Sequence, residues 1–107
     1  MTTFEDRDRA FEAKFAADEE LAFRVNARRN RLLGHWAAEL MKLTPAETEA
    51  YARSVVHADF EEAGIEDVVR KLVGDLTAAG IDIDEARVRA ALDEKMVEAR
   101  RQLMSEL

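Results

Sequence analysis

The sequence predicts an all-α fold, a four-helix bundle preceded by a mobile N-terminal segment, and three observations carry that expectation. Four glycines and one proline in 107 residues are too few for a sandwich or barrel, which needs a turn every eight to twelve residues or so. The apolar residues recur at helical spacing and nowhere alternate with period two. The chain is punctuated at Leu43-Thr44-Pro45, Ala63-Gly64-Ile65 and Ala79-Gly80-Ile81-Asp82, each with the chemistry of a helix terminus rather than of a long loop. With 48% hydrophobic and 36% charged residues, the chain is apolar enough to fold around one core, as expected at this length.

From Thr3 to Lys42 there is no proline and only one glycine, Gly34. A small bundle has no use for one straight helix of about 60 Å at ~1.5 Å per residue, and hydrophobic content divides the stretch near Asp18. After Met1, residues 1–20 carry only Phe4, Phe11 and Phe15 as large apolar groups. Seven and four residues apart, they share one helical face. Charge neighbours there mix repulsion, as between Asp8 and Glu12, with attraction, as between Asp6 and Arg9, so an isolated helix frays. Residues 21–43 carry Leu21, Val25, Leu32, Leu33, Trp36, Leu40 and Leu43, a stripe broad enough for a core helix.

Thr44-Pro45-Ala46-Glu47 starts the next helix, about 45–62: Thr caps, Pro takes the first helical position and Glu reaches back. Tyr51, Val55, Ala58 and Phe60 are its core candidates. The third helix, about 65–79, buries Val68, Val69, Leu72, Val73 and Leu76 and contains Gly74, read as a point where a neighbouring helix comes close. Gly64 and Gly80, each followed by Ile, suit left-handed C′ positions with a hydrophobic contact beyond. Asp82 with Glu85 has capping-box spacing and opens the last helix, about 83–105, with Val88, Leu92, Met96, Ala99 and Leu103 inward. Met41, Met96 and Met104 are read as core filler.

Sixteen basic and 23 acidic side chains give a formal charge of −7, which sets the average field against nucleic acid and anionic lipid. Residues 1–53 are nearly balanced, 9 basic to 10 acidic, and residues 54–107 hold 7 and 13. No run approaches the roughly 18 apolar residues of a membrane span, and the acidic start lacks signal-peptide character, so the expected location is cytoplasmic. Against the acidic background, Arg24, Arg28, Arg29 and Arg31, with Asn26 and Asn30, put +4 into eight residues. Either this cluster meets a phosphate or an acidic partner, or it balances Asp18, Glu19 and Glu20 and the later acidic helices. An enzyme is the poorer expectation. His35 and His57 are isolated with no cysteine to join them, and Gly74-Asp75 lacks the rest of a phosphate-binding loop. The three phenylalanines fit helix-in-groove recognition of a partner or, alternatively, an extra layer on the chain's own bundle.

FEDRDRAFEAKFAADEELAF, ARRNRLLGHWAAELMKLT, AYARSVVHADFEEAG and DVVRKLVGDL resemble, nearly end to end, the ζ subunit of alphaproteobacterial F-type ATP synthases. The resemblance implies a small four-helix bundle, residues 21–107. It also implies an N-terminal inhibitory segment, residues 1–20, flexible when free and folding on binding into the catalytic head. Carried over, Phe4, Phe11 and Phe15 would be apolar anchors and Glu5, Arg7, Arg9, Glu12 and Lys14 polar contacts. The partners implied are the F1 α, β and γ subunits, with no nucleic acid and no membrane insertion, for a chain monomeric when free and associated with the membrane-bound synthase. No cofactor is required. Some members bind ATP or ADP weakly through the bundle, although no phosphate-binding glycine motif is present here. A helical adaptor or nucleotide-binding bundle, its aromatic stripe packed on itself, is the alternative.

Overall fold

The computed structural model describes the backbone of residues 3–61 and 64–106 and the side chains of residues 18–58 and 64–106. It contains four helices in sequence, α1 (Thr3–Leu40), α2 (Pro45–Glu61), α3 (Ile65–Ala78) and α4 (Glu85–Ser105). Helix α1 packs along both α2 and α4, while α3 closes the bundle against α2 and α4.

The expected change near Asp18 does not interrupt α1, whose backbone is helical from Thr3 to Leu40. Between Thr3 and Leu40 the chain holds no proline and one glycine, Gly34, so no residue type there breaks the helix. The helix stops at Leu40 instead of 43 because Lys42 adopts φ 58°. The Leu43 N–H then donates to the Ala38 carbonyl at 3.0 Å and the Lys42 N–H to Glu39 at 3.1 Å, a left-handed cap formed without glycine. The cap of α2 is the one expected: the Glu47 N–H donates to Thr44 Oγ1 at 3.2 Å, and the Thr44 N–H donates to Glu47 Oε1 at 2.9 Å. That reciprocal bond holds the Glu47 carboxyl below its usual range.

Gly80 takes the expected left-handed position, φ 81°, and Ile81 beyond it donates to the Leu76 carbonyl at 2.9 Å and packs on the core. Gly64 has φ 113° and ψ 169°. This is a glycine conformation, but an extended one at the N-cap of α3 rather than the helical left-handed one anticipated. The cap of α4 is Asp84, not Asp82: its backbone is extended and its carboxylate accepts from the Arg87 N–H at 2.8 Å.

Among the described residues, the buried side chains fall into two clusters. The larger joins Leu33, Ala37 and Val55 to Val68, Val69, Leu72 and Leu76 of α3 and Val88, Ala91 and Leu92 of α4, with Trp36, Tyr51 and Val73 against it. The smaller, Val25, Ala99 and Leu103 with Leu21, Leu32 and Met96, lies between α1 and the C-terminal half of α4. Of the methionines assigned to the interior, Met41 and Met96 pack on these clusters, whereas Met104 is 62% exposed. Leu40, placed in the core stripe, is exposed, since it lies where α1 ends. Phe60 lies outside the described side chains.

The glycine at a close helix contact is Gly34, not Gly74. A Cβ at 34 would stand 2.6 Å from the Cα of Ala52 in α2, whereas one at 74 would meet nothing within 4 Å. The small residues Gly34, Ala37, Ala38 and Ala52 are all buried, and they let α1 and α2 approach through their backbones.

Candidate functional site

The side chains of Phe4, Glu5, Arg7, Arg9, Phe11, Glu12, Lys14 and Phe15 lie outside the described residues. What the structure describes is the stretch that follows them on α1, Asp18 to Arg31, where the smaller cluster nears the end of α4. There Leu21, Ala22 and Val25 of α1 and Met96, Leu103 and Met104 of α4 line a mainly apolar groove of about 330 Å³, with Asp18, Asn26 and Arg100 also on its walls.

The arginine cluster is divided by helical register. Arg29 and Asn30 are buried, 3% and 0% exposed; Arg29 Nε donates to Asn30 Oδ1 at 3.0 Å and its Nη1 to Asn26 Oδ1 at 3.4 Å. Asn30 Nδ2, also buried, finds no acceptor among the described residues. Arg24, Arg28 and Arg31 face outward. Arg24 and Arg28 converge on one carboxylate, Glu106, at 3.7 and 3.0 Å, and Arg28 also donates to Gln102 at 2.9 Å. Arg31 donates to Glu49 at 2.9 Å, and the other oxygen of that carboxylate lies 3.3 Å from His35 Nε2. Of the two readings of this cluster, balance against acids of later helices describes these three pairs; Asp18, Glu19 and Glu20 form none of them.

Sequence reasoning missed a half-buried polar contact between α2 and α3. Tyr51 donates its hydroxyl to Asp75 Oδ2 at 2.8 Å, and Lys71 donates to the same oxygen at 2.9 Å while lying 5.1 Å from the Tyr51 ring centre. Burial first, then the bond to Asp75, pushes the phenol well above its ordinary value. At the start of α4, Arg87 stacks over Trp36 at 5.3 Å. Arg89 holds Glu66 through two bonds, 3.1 and 2.7 Å, which lowers the Glu66 carboxyl below its usual range.

Among the described residues, no three His, Asp or Glu side chains are placed to hold a metal ion, and no helix is long and apolar enough to cross a membrane.

No curated protein matches the chain. A solved structure, described as the solution NMR structure of a protein, is 50% identical with a TM-score of 0.70, over 79% of this chain and 96% of that one. The family model of ATPase inhibitor subunit zeta matches residues 1–102, taking in the aromatic N-terminal stretch and nearly the whole bundle, and the chain belongs to that family.

Proposed function

We propose that this chain inhibits the F1FO-ATP synthase by inserting its N-terminal helix at a catalytic α/β interface of F1, beside the γ rotor, and so blocking ATP hydrolysis. The observation that carries the proposal is the family match, which begins at residue 1 and takes in the aromatic stretch together with the bundle. Helical register supports it. Phe4, Phe11 and Phe15 precede Ala22, Arg29 and Leu33 by eighteen residues each, five turns at ~3.6 residues per turn. On helical register, Phe11 and Phe15 fall in line with buried Arg29 and Leu33, and Phe4 falls in line with exposed Ala22. A partner that closes around the stripe supplies, in trans, the kind of apolar cover that the bundle supplies to Leu33.

The segment, residues 1–20 at the N-terminal end of α1, frays and is flexible when free and is held helical as the interface closes around it, and the bundle, residues 21–107, stays outside as a stop. Phe4, Phe11 and Phe15 anchor it, and Glu5, Arg7, Arg9, Glu12 and Lys14 make the polar contacts. The inhibitor forms no covalent bond and requires no cofactor. It is a monomer when free, works at the cytoplasmic face of the membrane-bound enzyme, and stops one direction of rotation because rotation the other way opens the interface and expels it.

The test is ATP hydrolysis by the purified catalytic head with the full chain and with a chain lacking residues 1–19. The full chain inhibits and the shortened one does not; equal activity with the two refutes the proposal. Phe11→Ala and Phe15→Ala each weaken inhibition by about 1–3 kcal/mol and leave bundle melting unchanged. A loss of bundle stability instead favours the stripe packed on its own bundle.

A further inference from the structure

One motif is not used by the insertion of the N-terminal segment: the outward arginines of α1. Phe23, 54% exposed, lies with Ala27, Val56 of α2 and Leu103 of α4 along a shallow groove of about 270 Å³, whose remaining walls are Arg24, Arg28 and Arg31. Arg24 and Arg31 keep about half of their side-chain surface in solvent, 51% and 49%. Among the described residues, their internal partners are two carboxylates for three guanidiniums, since Arg24 and Arg28 share Glu106 and Arg31 shares Glu49 with His35. Arg53, exposed on α2, adds a further positive charge one turn from Val56. In a chain of net charge −7, this is a positive strip with an apolar floor, on the helix that carries the inhibitory segment.

We infer that the strip from Phe23 to Arg31 is a second docking surface, which takes an acidic segment of the catalytic head bearing an apolar side chain. Glu106 is then the internal carboxylate that a partner carboxylate displaces. The inference rests on the proposed function for its partner. Charge complementarity selects an acidic protein segment over a single anion. Arg24, Arg28 and Arg31 are spread over seven residues, about 10 Å of helix at ~1.5 Å per residue, so they match a row of carboxylates rather than one phosphate. The floor of Phe23, Val56 and Leu103 suits an apolar anchor. Exchanging Glu106 for a partner carboxylate leaves the count of ion pairs unchanged, so the strip acts chiefly on orientation and rate of encounter.

The test measures association of the full-length chain with immobilised catalytic head over a series of ionic strengths, with hydrolysis read in parallel. The triple variant Arg24→Gln, Arg28→Gln, Arg31→Gln associates about fivefold more slowly at low salt, with a flatter salt dependence. Glu106→Gln, which frees Arg24 and Arg28, associates faster than the unmodified chain. If the pairs only hold α1 to α4, both variants bind more weakly and melt lower, which overturns the inference. Unchanged rates and salt slope in the triple variant overturn it too, as does competition by millimolar inorganic phosphate at constant ionic strength, which makes the strip an anion site. If the chain binds through the strip but hydrolysis continues, the inhibitor proposal falls and the surface stands. Absence of any binding to the head refutes both.

Discussion

Gly34 and Gly74 form a matched pair of substitutions. Both are glycines inside helices, so replacing either with alanine favours helix by about 1 kcal/mol and restricts the unfolded chain alike. Only the space differs. At 34 the new methyl would lie 2.6 Å from Ala52 Cα, 3.1 Å from its Cβ and 3.3 Å from its N; at 74 it meets nothing within 4 Å. Two of those three atoms are backbone, so relief requires α2 to move away from α1, opening the contacts around buried Leu33, Ala37 and Val55. Overpacking costs about 1–3 kcal/mol, and a backbone neighbour places this case near 3. Net of the helix gain, Gly34→Ala loses about 2 kcal/mol and Gly74→Ala gains about 1. At roughly 4–8 °C per kcal/mol, the melting temperature falls by about 10 °C in the first variant and rises by about 5 °C in the second. Far-UV circular dichroism follows the helices, and the single tryptophan, Trp36, follows the core. Adding Ala52→Gly to Gly34→Ala does not restore the loss, since it removes the 3.1 Å Cβ contact, leaves the 2.6 Å Cα one and itself costs about 1 kcal/mol in helix propensity. If Gly34→Ala melts at or above the unmodified chain, close packing of α1 on α2 is not what keeps glycine there.

The single tyrosine gives a second prediction. The Tyr51 phenol is pushed up from an ordinary value of 10.0, so the stability it contributes is complete below that pH and is lost as pH rises through the higher folded value. Its phenolate absorbance therefore appears together with alkaline unfolding, and a phenolate that forms at the ordinary pH in a folded chain contradicts the buried bond to Asp75. Tyr51→Phe costs about 1 kcal/mol in denaturant unfolding. At the other end of the pH scale, the lowered Glu66 carboxyl stabilises the fold above its ordinary value of 4.5, and that contribution is lost as pH falls through the lower folded value. Glu66→Gln should therefore flatten the loss of melting temperature on acidification, and an unchanged profile would show that the Arg89 pair contributes nothing.

Helix starts and stops were legible wherever a side chain makes the terminating hydrogen bond or a glycine takes the positive φ. Thr44 with Glu47 and Gly80 with Ile81 are such cases, because their chemistry is local. Lys42 was not legible: nothing in its type distinguishes a lysine driven to φ 58° by the bonds of Lys42 and Leu43 to Glu39 and Ala38 from one in a helix. Asp82 and Asp84 offered two caps two residues apart, and the choice of Asp84 depends on where the extended connection from Gly80 delivers the chain. The role of Gly34 was invisible because close approach is set by Ala52, eighteen residues away on another helix. The arginine cluster was seen as a composition, but its division into buried Arg29 and outward Arg24, Arg28 and Arg31 depends on which faces α2 and α4 cover. The Tyr51–Asp75–Lys71 contact joins two helices and has no signature in either one.

The continuity of α1 bears directly on how an inhibitory segment folds. An isolated helix must first form a nucleus, which is unfavourable by a factor of about 10³, or about 4 kcal/mol, whereas adding a residue to an existing helix costs almost nothing. Here Leu21 and Val25 are held against α4, so the bundle supplies the nucleus, and no glycine or proline stands between it and Phe4. On the proposed function, binding then only has to hold the N-terminal turns of α1 helical. Ala17→Pro isolates this effect. Inside a continuous helix a proline costs about 3 kcal/mol or more, but at the first position of a helix it is harmless, so a bundle that needs α1 only from residue 17 onward keeps its melting temperature. Inhibition of hydrolysis should weaken about 100-fold, since 1.4 kcal/mol corresponds to about tenfold in affinity. Ala17→Gly, at about 1 kcal/mol, should weaken it only about fivefold. A proline variant that inhibits as well as the unmodified chain would mean that the bound segment is not an extension of α1, and the bundle would then serve as a tether rather than as the nucleus of the inhibitory helix.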